Sequence, residues 1–153
     1  CNAVITVSGL SAGGKGRFVT SNARITVENC VFGSLAAKTS NGPITLSGVT
    51  GGDCEAASNN ARITAEHCRF AEKLWMQTSN GPVRAEDVEA PDLTFKTANA
   101  AITGTVVGDM RDYAISSRTS NAQNNLPMDC AYEDQAKRLW ATTSNGRIDV
   151  RFV

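Results

Sequence analysis

The chain has 153 residues, among them fifteen basic and fifteen acidic residues, and its formal net charge is zero. This length suits one domain with a real core, and the balanced charge excludes the strongly basic proteins that hold nucleic acid. The sequence contains no run of eighteen apolar residues and no export signal at its start. We therefore expect no nucleic-acid partner, and membrane contact only through a segment upstream of this sequence.

An asparagine recurs every 19 to 24 residues along the whole chain. It is always followed by Ala or Gly, and wherever the sequence allows it is preceded, two places earlier, by Thr or Ser. These pivot asparagines are Asn2, Asn22, Asn41, Asn60, Asn80, Asn99, Asn121 and Asn145. A period near 20 residues indicates a repeat protein in which each unit buries its apolar face against the next unit.

Each unit predicts two short strands, one on either side of the pivot. Apolar and polar residues alternate there, which is the period of a strand rather than of a helix. The columns include Ile25 and Ile44 after the pivot and Leu35 and Leu74 before it. A leucine-rich repeat would need more leucines and a helical return, and a propeller blade needs about 40 residues. The sequence predicts an all-β, single-stranded parallel β-helix (a β-solenoid) of about eight coils, with right-handed winding favoured.

The repeat is most regular over residues 1–107. Residues 108–142 predict irregular coils with longer loops, because Pro127 falls where a strand should run and the unit of Asn121 lacks its isoleucine. Residues 143–153 form a closing coil. We expect the whole chain to be one domain and, because it opens directly on a repeat unit, to be the C-terminal part of a longer protein.

The pivots are expected to occupy sharp corners, where Asn tolerates a left-handed backbone better than other residues with a side chain. Eight asparagines in register predict a ladder in which stacked side-chain amides hydrogen-bond from coil to coil. We expect this asparagine ladder to point inward. The alternative is that Asn is only a favoured turn residue.

Cysteine usage predicts buried free thiols. Cys30 and Cys68 share one apolar column, and Cys54 falls in the leucine column. Cys30 and Cys68 are two coils apart, at about 9–10 Å, which exceeds the span of a disulfide. There is no C-x-x-C pair to predict zinc, and no metal or cofactor is expected.

One charged cluster is a candidate site. His67, the single histidine, stands beside Glu66, and Glu86 and Asp87 follow in the next coil. Such a cluster can bind a cation or act as an acid–base pair. The alternative, which we favour, is a solvated charged face, and we assign no catalytic residue.

Two tryptophans give a second candidate. Trp75 and Trp140 fall in the same column, which is predicted to point outward with Glu55 and Thr94. An exposed tryptophan can stack on a sugar ring or contact a protein partner. The alternative is that each packs over a neighbouring outer side chain.

The phrases TSNGPI and SNARIT at this spacing resemble the bacterial toast-rack adhesin family. The resemblance covers essentially the whole chain and is strongest over residues 18–105 and 141–153. It implies a β-helix domain that follows a membrane segment or a helical signalling module in cell-envelope or stress-response proteins. It implies no catalytic residues.

From these patterns we expect a non-enzymatic, extracytoplasmic module of the cell envelope that serves in adhesion or as a binding or assembly scaffold for a protein or glycan. Buried free thiols also allow a cytoplasmic location. The alternatives are a carbohydrate-active enzyme, lyase-like or hydrolase-like, and an envelope stress-sensing or signalling module. Homo-oligomers formed end to end or side by side are further expectations.

Overall fold

Two facing sets of short parallel strands make up the computed structural model, which describes residues 3–126, 129–130 and 137–153. Cys1, Asn2 and Pro127 lie outside the described residues, as does the side chain of Cys130. The first sheet contains β1 (Ile5–Ser8), β3 (Ile25–Glu28), β5 (Ile44–Ser47), β7 (Ile63–Glu66), β9 (Val83–Val88), β11 (Ile102–Val106) and β15 (Ile148–Phe152). The second sheet contains β2 (Ser11–Val19), β4 (Val31–Lys38), β6 (Thr50–Ala57), β8 (Arg69–Gln77), β10 (Asp92–Lys96), β12 (Tyr113–Arg118), β13 (Asp129–Cys130) and β14 (Lys137–Thr142). A 3-10 helix spans Met110–Asp112.

Like residues stack on like residues through the core, which confirms the predicted β-solenoid. In the first sheet Ile25, Ile44 and Ile63 pair in register and are fully buried. In the second sheet Leu74 and Leu93 do the same. The alternation of the sequence thus places one face of each sheet in a shared apolar interior, because neither sheet could bury that face alone.

The expected eight consecutive coils are wrong. Five coils, β1–β2 to β9–β10, follow one another in chain order, and beyond them the order changes. Strand β14 lies between β10 and β12, although β12 precedes it in the chain. Strand β15 pairs with β11 on one side, and on its other side Ile148 forms a bridge with Asn124. The segment of β14 and β15 therefore inserts between the fifth coil and the earlier segment of β12.

An antiparallel strand covers the far end of the second sheet. Strand β13 pairs with the outer edge of β12, with Ile115 opposite Cys130 and Ser116 opposite Asp129. An unpaired edge of a sheet recruits further strands. Because β13 runs against the direction of the coils, it satisfies part of this edge without continuing the solenoid.

The asparagine ladder is confirmed, but its inward direction is wrong. Each pivot amide donates to the pivot of the preceding coil, as in Asn60 Nδ2 to Asn41 Oδ1 at 2.6 Å and Asn80 Nδ2 to Asn60 Oδ1 at 2.8 Å. All described pivots are exposed to solvent. Exposure lowers the net value of each hydrogen bond, because water competes for the same groups.

The buried ladder at this corner is made by hydroxyl groups instead. The members that lie almost completely inside are Thr20, Thr39, Ser58, Thr78, Thr97 and Thr143. Thr78 Oγ1 donates to Ala61 O in the preceding coil at 3.2 Å and accepts from Gly81 N at 3.2 Å. The hydroxyl column of the sequence is therefore the element that satisfies buried backbone groups at the turn.

The left-handed backbone expected at the pivots occurs at a different corner, seven residues further on. Its described members are Gly9, Asn29, Gly48, His67 and Asp87, with φ values of 65°, 50°, 61°, 52° and 50°. No described pivot has a positive φ. Hydrogen bonds of the hydroxyl column and of the asparagine ladder stabilise the turn at the pivot corner. At the second corner the chain turns at a residue with a left-handed backbone.

Ala and Gly alternate from coil to coil after the pivots. In spatial order the column is Ala23, Gly42, Ala61, Gly81, Ala100, Gly146 and Ala122. A Cβ at Gly42, Gly81 or Gly146 would clash with the carbonyl oxygen of the alanine in the coil before it. The alternation is regular in spatial order but not in chain order, which agrees with the inserted position of β14 and β15.

Candidate functional site

The row of Trp75, Thr94 and Trp140 lines an apolar cleft on the outer face of the second sheet. Thr94 on β10 pairs with Trp75 on β8 and with Trp140 on β14. The two tryptophans are thus two strands apart, at about 9.6 Å along the solenoid axis. Trp75 is partly buried, whereas 55% of Trp140 is exposed. The predicted outward direction of both side chains is confirmed.

The inserted strand creates this spacing. If the coils followed chain order, Ser116 of β12 would lie between Thr94 and Trp140, and the tryptophans would be three strands apart. In the structure Trp140 pairs with Thr94 on one side and with Ser116 on the other. The position of β14 therefore brings the second tryptophan to one strand from Thr94.

The cleft between the tryptophans has a volume of about 190 Å³ and polar margins. Gln77, Lys96 and Thr142 line it beside the two indoles. An adjoining cleft of about 360 Å³ shares Trp75 and Thr94 and extends toward Glu55, Lys73 and Asp92. Together the two clefts form a groove that crosses the strands, which we call the tryptophan groove.

One polar atom on the wall of this groove has no partner. The side-chain hydroxyl of Thr142 is buried and makes no hydrogen bond within the described part of the chain. A buried hydroxyl without a partner costs stability, about 1–3 kcal/mol. Sequence patterns gave no sign of it, because Thr142 differs in no way from an ordinary strand threonine.

Charged residues flank the groove and were missed by sequence reasoning. Lys73 pairs in register with Asp92, and Asp92 pairs with Arg138, so these three side chains lie in the row next to the tryptophans. Lys96 stands in the row on the opposite side. They could have been found as the residues two places from the tryptophan column, since every second residue of a strand faces the same way.

The predicted charged cluster is only partly assembled. His67 Nδ1 lies 3.2 Å from Asp87 Oδ2, and Glu66 pairs in register with Glu86. Glu86 accepts a hydrogen bond from Arg84 Nε at 2.8 Å. His67 and Asp87 both occupy the left-handed corner, so the backbone turn itself explains why they are neighbours.

A mixed charged cleft, which the sequence pattern did not indicate, lies beside this cluster. Its charged residues are Arg84, Glu86, Asp87, Arg147, Asp149 and Arg151. The cleft has a volume of about 430 Å³. Sequence order hid it because β15, which carries Asp149 and Arg151, lies directly beside β11. Within the described residues, no group of three or more His, Cys, Asp or Glu side chains is arranged to hold a metal ion.

The predicted cysteine positions are confirmed where the structure describes them. Cys30, Cys54 and Cys68 are free and fully buried. Burial is the main cause that raises the pKa of the Cys54 thiol above its usual range, and Cys68 and Asp53 add to the effect. The Cys54 thiol therefore remains protonated, and all three cysteines act as small apolar residues of the core.

Comparison with known proteins gives no family assignment. No family model, curated protein or solved structure matches this chain. Among the described residues, no helix has the length and apolar character to cross a membrane. The geometry of the two outer faces is therefore the basis for assigning a function.

Proposed function

We propose that this chain is a non-enzymatic scaffold of the bacterial cell envelope that binds an extended ligand along the outer face of its second sheet. The observation that carries the proposal is the register of Trp75, Thr94 and Trp140 on three adjacent parallel strands. Backbone hydrogen bonds on both sides of β10 fix the distance between the two aromatic side chains. A site on strands is held more precisely than a site on loops.

The state of the charged cluster supports a binding role over catalysis. Asp87 contacts His67 and also accepts a hydrogen bond from Thr105 Oγ1 at 3.3 Å. Glu86 is engaged by Arg84. An acid–base catalyst must reach a substrate proton, whereas these carboxylates are turned toward partners within the protein.

The cell-envelope location is supported by the resemblance of the repeat, and burial of the thiols suits an oxidising compartment as well as the cytoplasm.

An enzyme is the second candidate, and the charged cleft around Arg84, Asp87 and Asp149 is the observation that favours it. Enzymes that cut polysaccharides on a β-helix place acidic and basic residues together in such a cleft. Here Asp87 and Asp149 line one cleft with Gly104, where a Cβ would clash with the carbonyl oxygen of Ala85 on the neighbouring strand.

One pair of measurements tests the proposal. The purified chain is incubated with isolated envelope polymers, and we measure both the fraction that cosediments and the new reducing or unsaturated ends that appear. We expect binding without turnover, and binding that survives Glu86→Gln. Turnover that is lost in Glu86→Gln but retained in Trp140→Ala would instead establish the enzyme, and failure to bind any polymer would contradict the scaffold.

A further inference from the structure

The two tryptophans of the tryptophan groove leave room for one ring of a ligand between them. Their strands are about 9.6 Å apart. Contacts of about 3.5–4.0 Å to each indole would occupy most of that distance. The space is therefore too narrow for a folded protein element and suits a single ring that contacts both Trp75 and Trp140.

The polar margin selects the chemistry of that ring. A pyranose has apolar C–H faces and a rim of hydroxyl groups, so its faces match indole and its rim needs hydrogen-bond partners. Gln77, Thr94 and Thr142 supply such partners around the cleft. The buried, unpartnered hydroxyl of Thr142 gains a partner if its side chain turns toward a bound ring.

The charged residues around the groove indicate which class of glycan it binds. Lys96 is the one charged residue among the described residues that line the cleft between the tryptophans, and Arg138 is an exposed cation on the same strand as Trp140. The acids Glu55 and Asp92 lie with Lys73 in the adjoining cleft, so the uncompensated positive charge lies at the cleft that takes the ring. Cationic margins favour a ligand that carries carboxylates.

We propose that the tryptophan groove binds a glycan chain containing uronic acid, with one pyranose ring held between Trp75 and Trp140. The adjoining cleft toward Glu55 and Lys73 takes the next sugar, so the chain crosses the strands. This inference rests on the proposed function, because it names the ligand class of the same binding face.

Tryptophan fluorescence reports on this groove alone, since the protein contains only two tryptophans and both line it. Hexamers of galacturonate and of N-acetylglucosamine are titrated into the full chain, with calorimetry in parallel. We expect a saturable fluorescence change with oligogalacturonate and at least tenfold weaker binding of the neutral hexamer. In Trp140→Phe the remaining signal comes from Trp75 and should still respond.

Variants separate the aromatic and the charged contributions. We expect Trp75→Ala and Trp140→Ala each to weaken oligogalacturonate binding at least tenfold, with thermal unfolding confirming that both variants fold. Lys73→Ser with Lys96→Ser should weaken galacturonate but not the neutral hexamer. Arg62→Ser removes an exposed charge from the pivot corner and serves as the matched control, which should bind as the unaltered chain does.

The outcomes distinguish this inference from the proposed function. Absence of saturable binding to either hexamer, or binding retained in the double variant Trp75→Ala with Trp140→Ala, overturns the glycan groove. If envelope polymers still cosediment in that case, the scaffold function stands and only the ligand assignment fails. Cosedimentation that is abolished by protease treatment of the polymers identifies a protein partner and also overturns the glycan groove. Equal affinity for both hexamers overturns the uronic acid assignment.

Discussion

The side-chain amide of Asn145 donates a hydrogen bond of 2.8 Å to Asn99, 46 residues earlier in the chain. Asn121, which lies between them in sequence, donates to Asn145 from the other side at 2.6 Å. The spatial order of the ladder therefore differs from the order of the chain, and the same exchange places Trp140 next to Thr94.

Hydrogen exchange tests this order directly. Because β14 is paired on both sides, the amides of Leu139 and Ala141 should exchange as slowly as those of Leu74 and Met76 in the middle of the solenoid. Amide exchange followed by NMR measures this. Exchange of Leu139 and Ala141 at rates typical of a frayed strand would contradict the inserted position.

The buried hydroxyl ladder should matter more for stability than the exposed asparagine ladder. Thr78→Val removes the hydroxyl that serves Ala61 O and Gly81 N, and we expect a loss of about 2–3 kcal/mol in the free energy of unfolding. Asn80→Ala should cost only about 0.5–1 kcal/mol, because its partners are exposed to water. Denaturant titration of both variants gives the comparison, and a larger loss for Asn80→Ala would reverse our assignment.

Close approach of adjacent coils explains the glycines of the pivot corner. At Gly81 a Cβ would overlap the carbonyl oxygen of Ala61. Gly81→Ala should therefore destabilise the protein by about 1–3 kcal/mol. Ala61→Gly, in the adjacent coil of the same column, is the matched control and should cost no more than about 0.5–1 kcal/mol. Equal effects in a thermal unfolding series would remove the close contact as the cause.

The left-handed corner predicts a stabilising change. His67 has a φ of 52°, a conformation that costs a residue with a side chain about 1–2 kcal/mol and costs glycine almost nothing. His67→Gly should raise the free energy of unfolding by about 0.5 kcal/mol after the greater flexibility of the unfolded chain is counted. His67→Val should lower it, because a β-branched side chain fits this region worst. A stabilising His67→Val variant would show that the turn is not strained.

Tyr113 makes the stability of the distal coils depend on alkaline pH. Burial, with smaller effects of the carboxylates of Glu89 and Asp112, raises the pKa of Tyr113 to about 12. In the unfolded chain the pKa is about 10, so the unfolded state loses its proton first. The stabilisation is therefore complete below about pH 10 and is lost as the pH rises toward 12.

Tyr113→Phe is the variant that tests this dependence. It removes the hydrogen bond from Tyr113 Oη to Val107 O and should lower stability by about 1 kcal/mol at neutral pH. The stability of the variant should decline less steeply than that of the unaltered chain between pH 10 and 12. Chemical denaturation at several pH values gives both slopes, and parallel curves would contradict the assignment.

Local regularity made most of the fold predictable. Alternation around each pivot identified the strands, the buried columns and the stacked amides, because these depend on residues within one coil and its neighbour. The order of the last coils was not predictable from periodicity, since β12 and β14 carry compatible apolar columns. A usable signal was present in the small residues after the pivots, where Ala and Gly alternate from coil to coil. Gly146 continues this alternation if it follows Ala100, whereas Ala122 in that place would break it.

The candidate site was predictable in its residues but not in its geometry. The column position gave the outward direction of Trp75 and Trp140, and pattern alone could not give their separation. The predictions that the pivot asparagines point inward and have a left-handed backbone were wrong for one shared reason. A hydroxyl two residues before each pivot satisfies the buried carbonyl, so the amide is free to lie outside and the pivot keeps a negative φ.

The exchanged order of β12 and β14 also affects the order in which the coils can fold during synthesis. Ribosomes release a chain from its N-terminus, so the first five coils can wind one upon another as they emerge. The segment of β12 appears next, yet its inner neighbour β14 is still to be translated. The buried side chains of Ile115 and Ser117 stay without their inner neighbour until that later strand enters. This step is therefore the natural point for a chaperone to act or for two nascent chains to entangle.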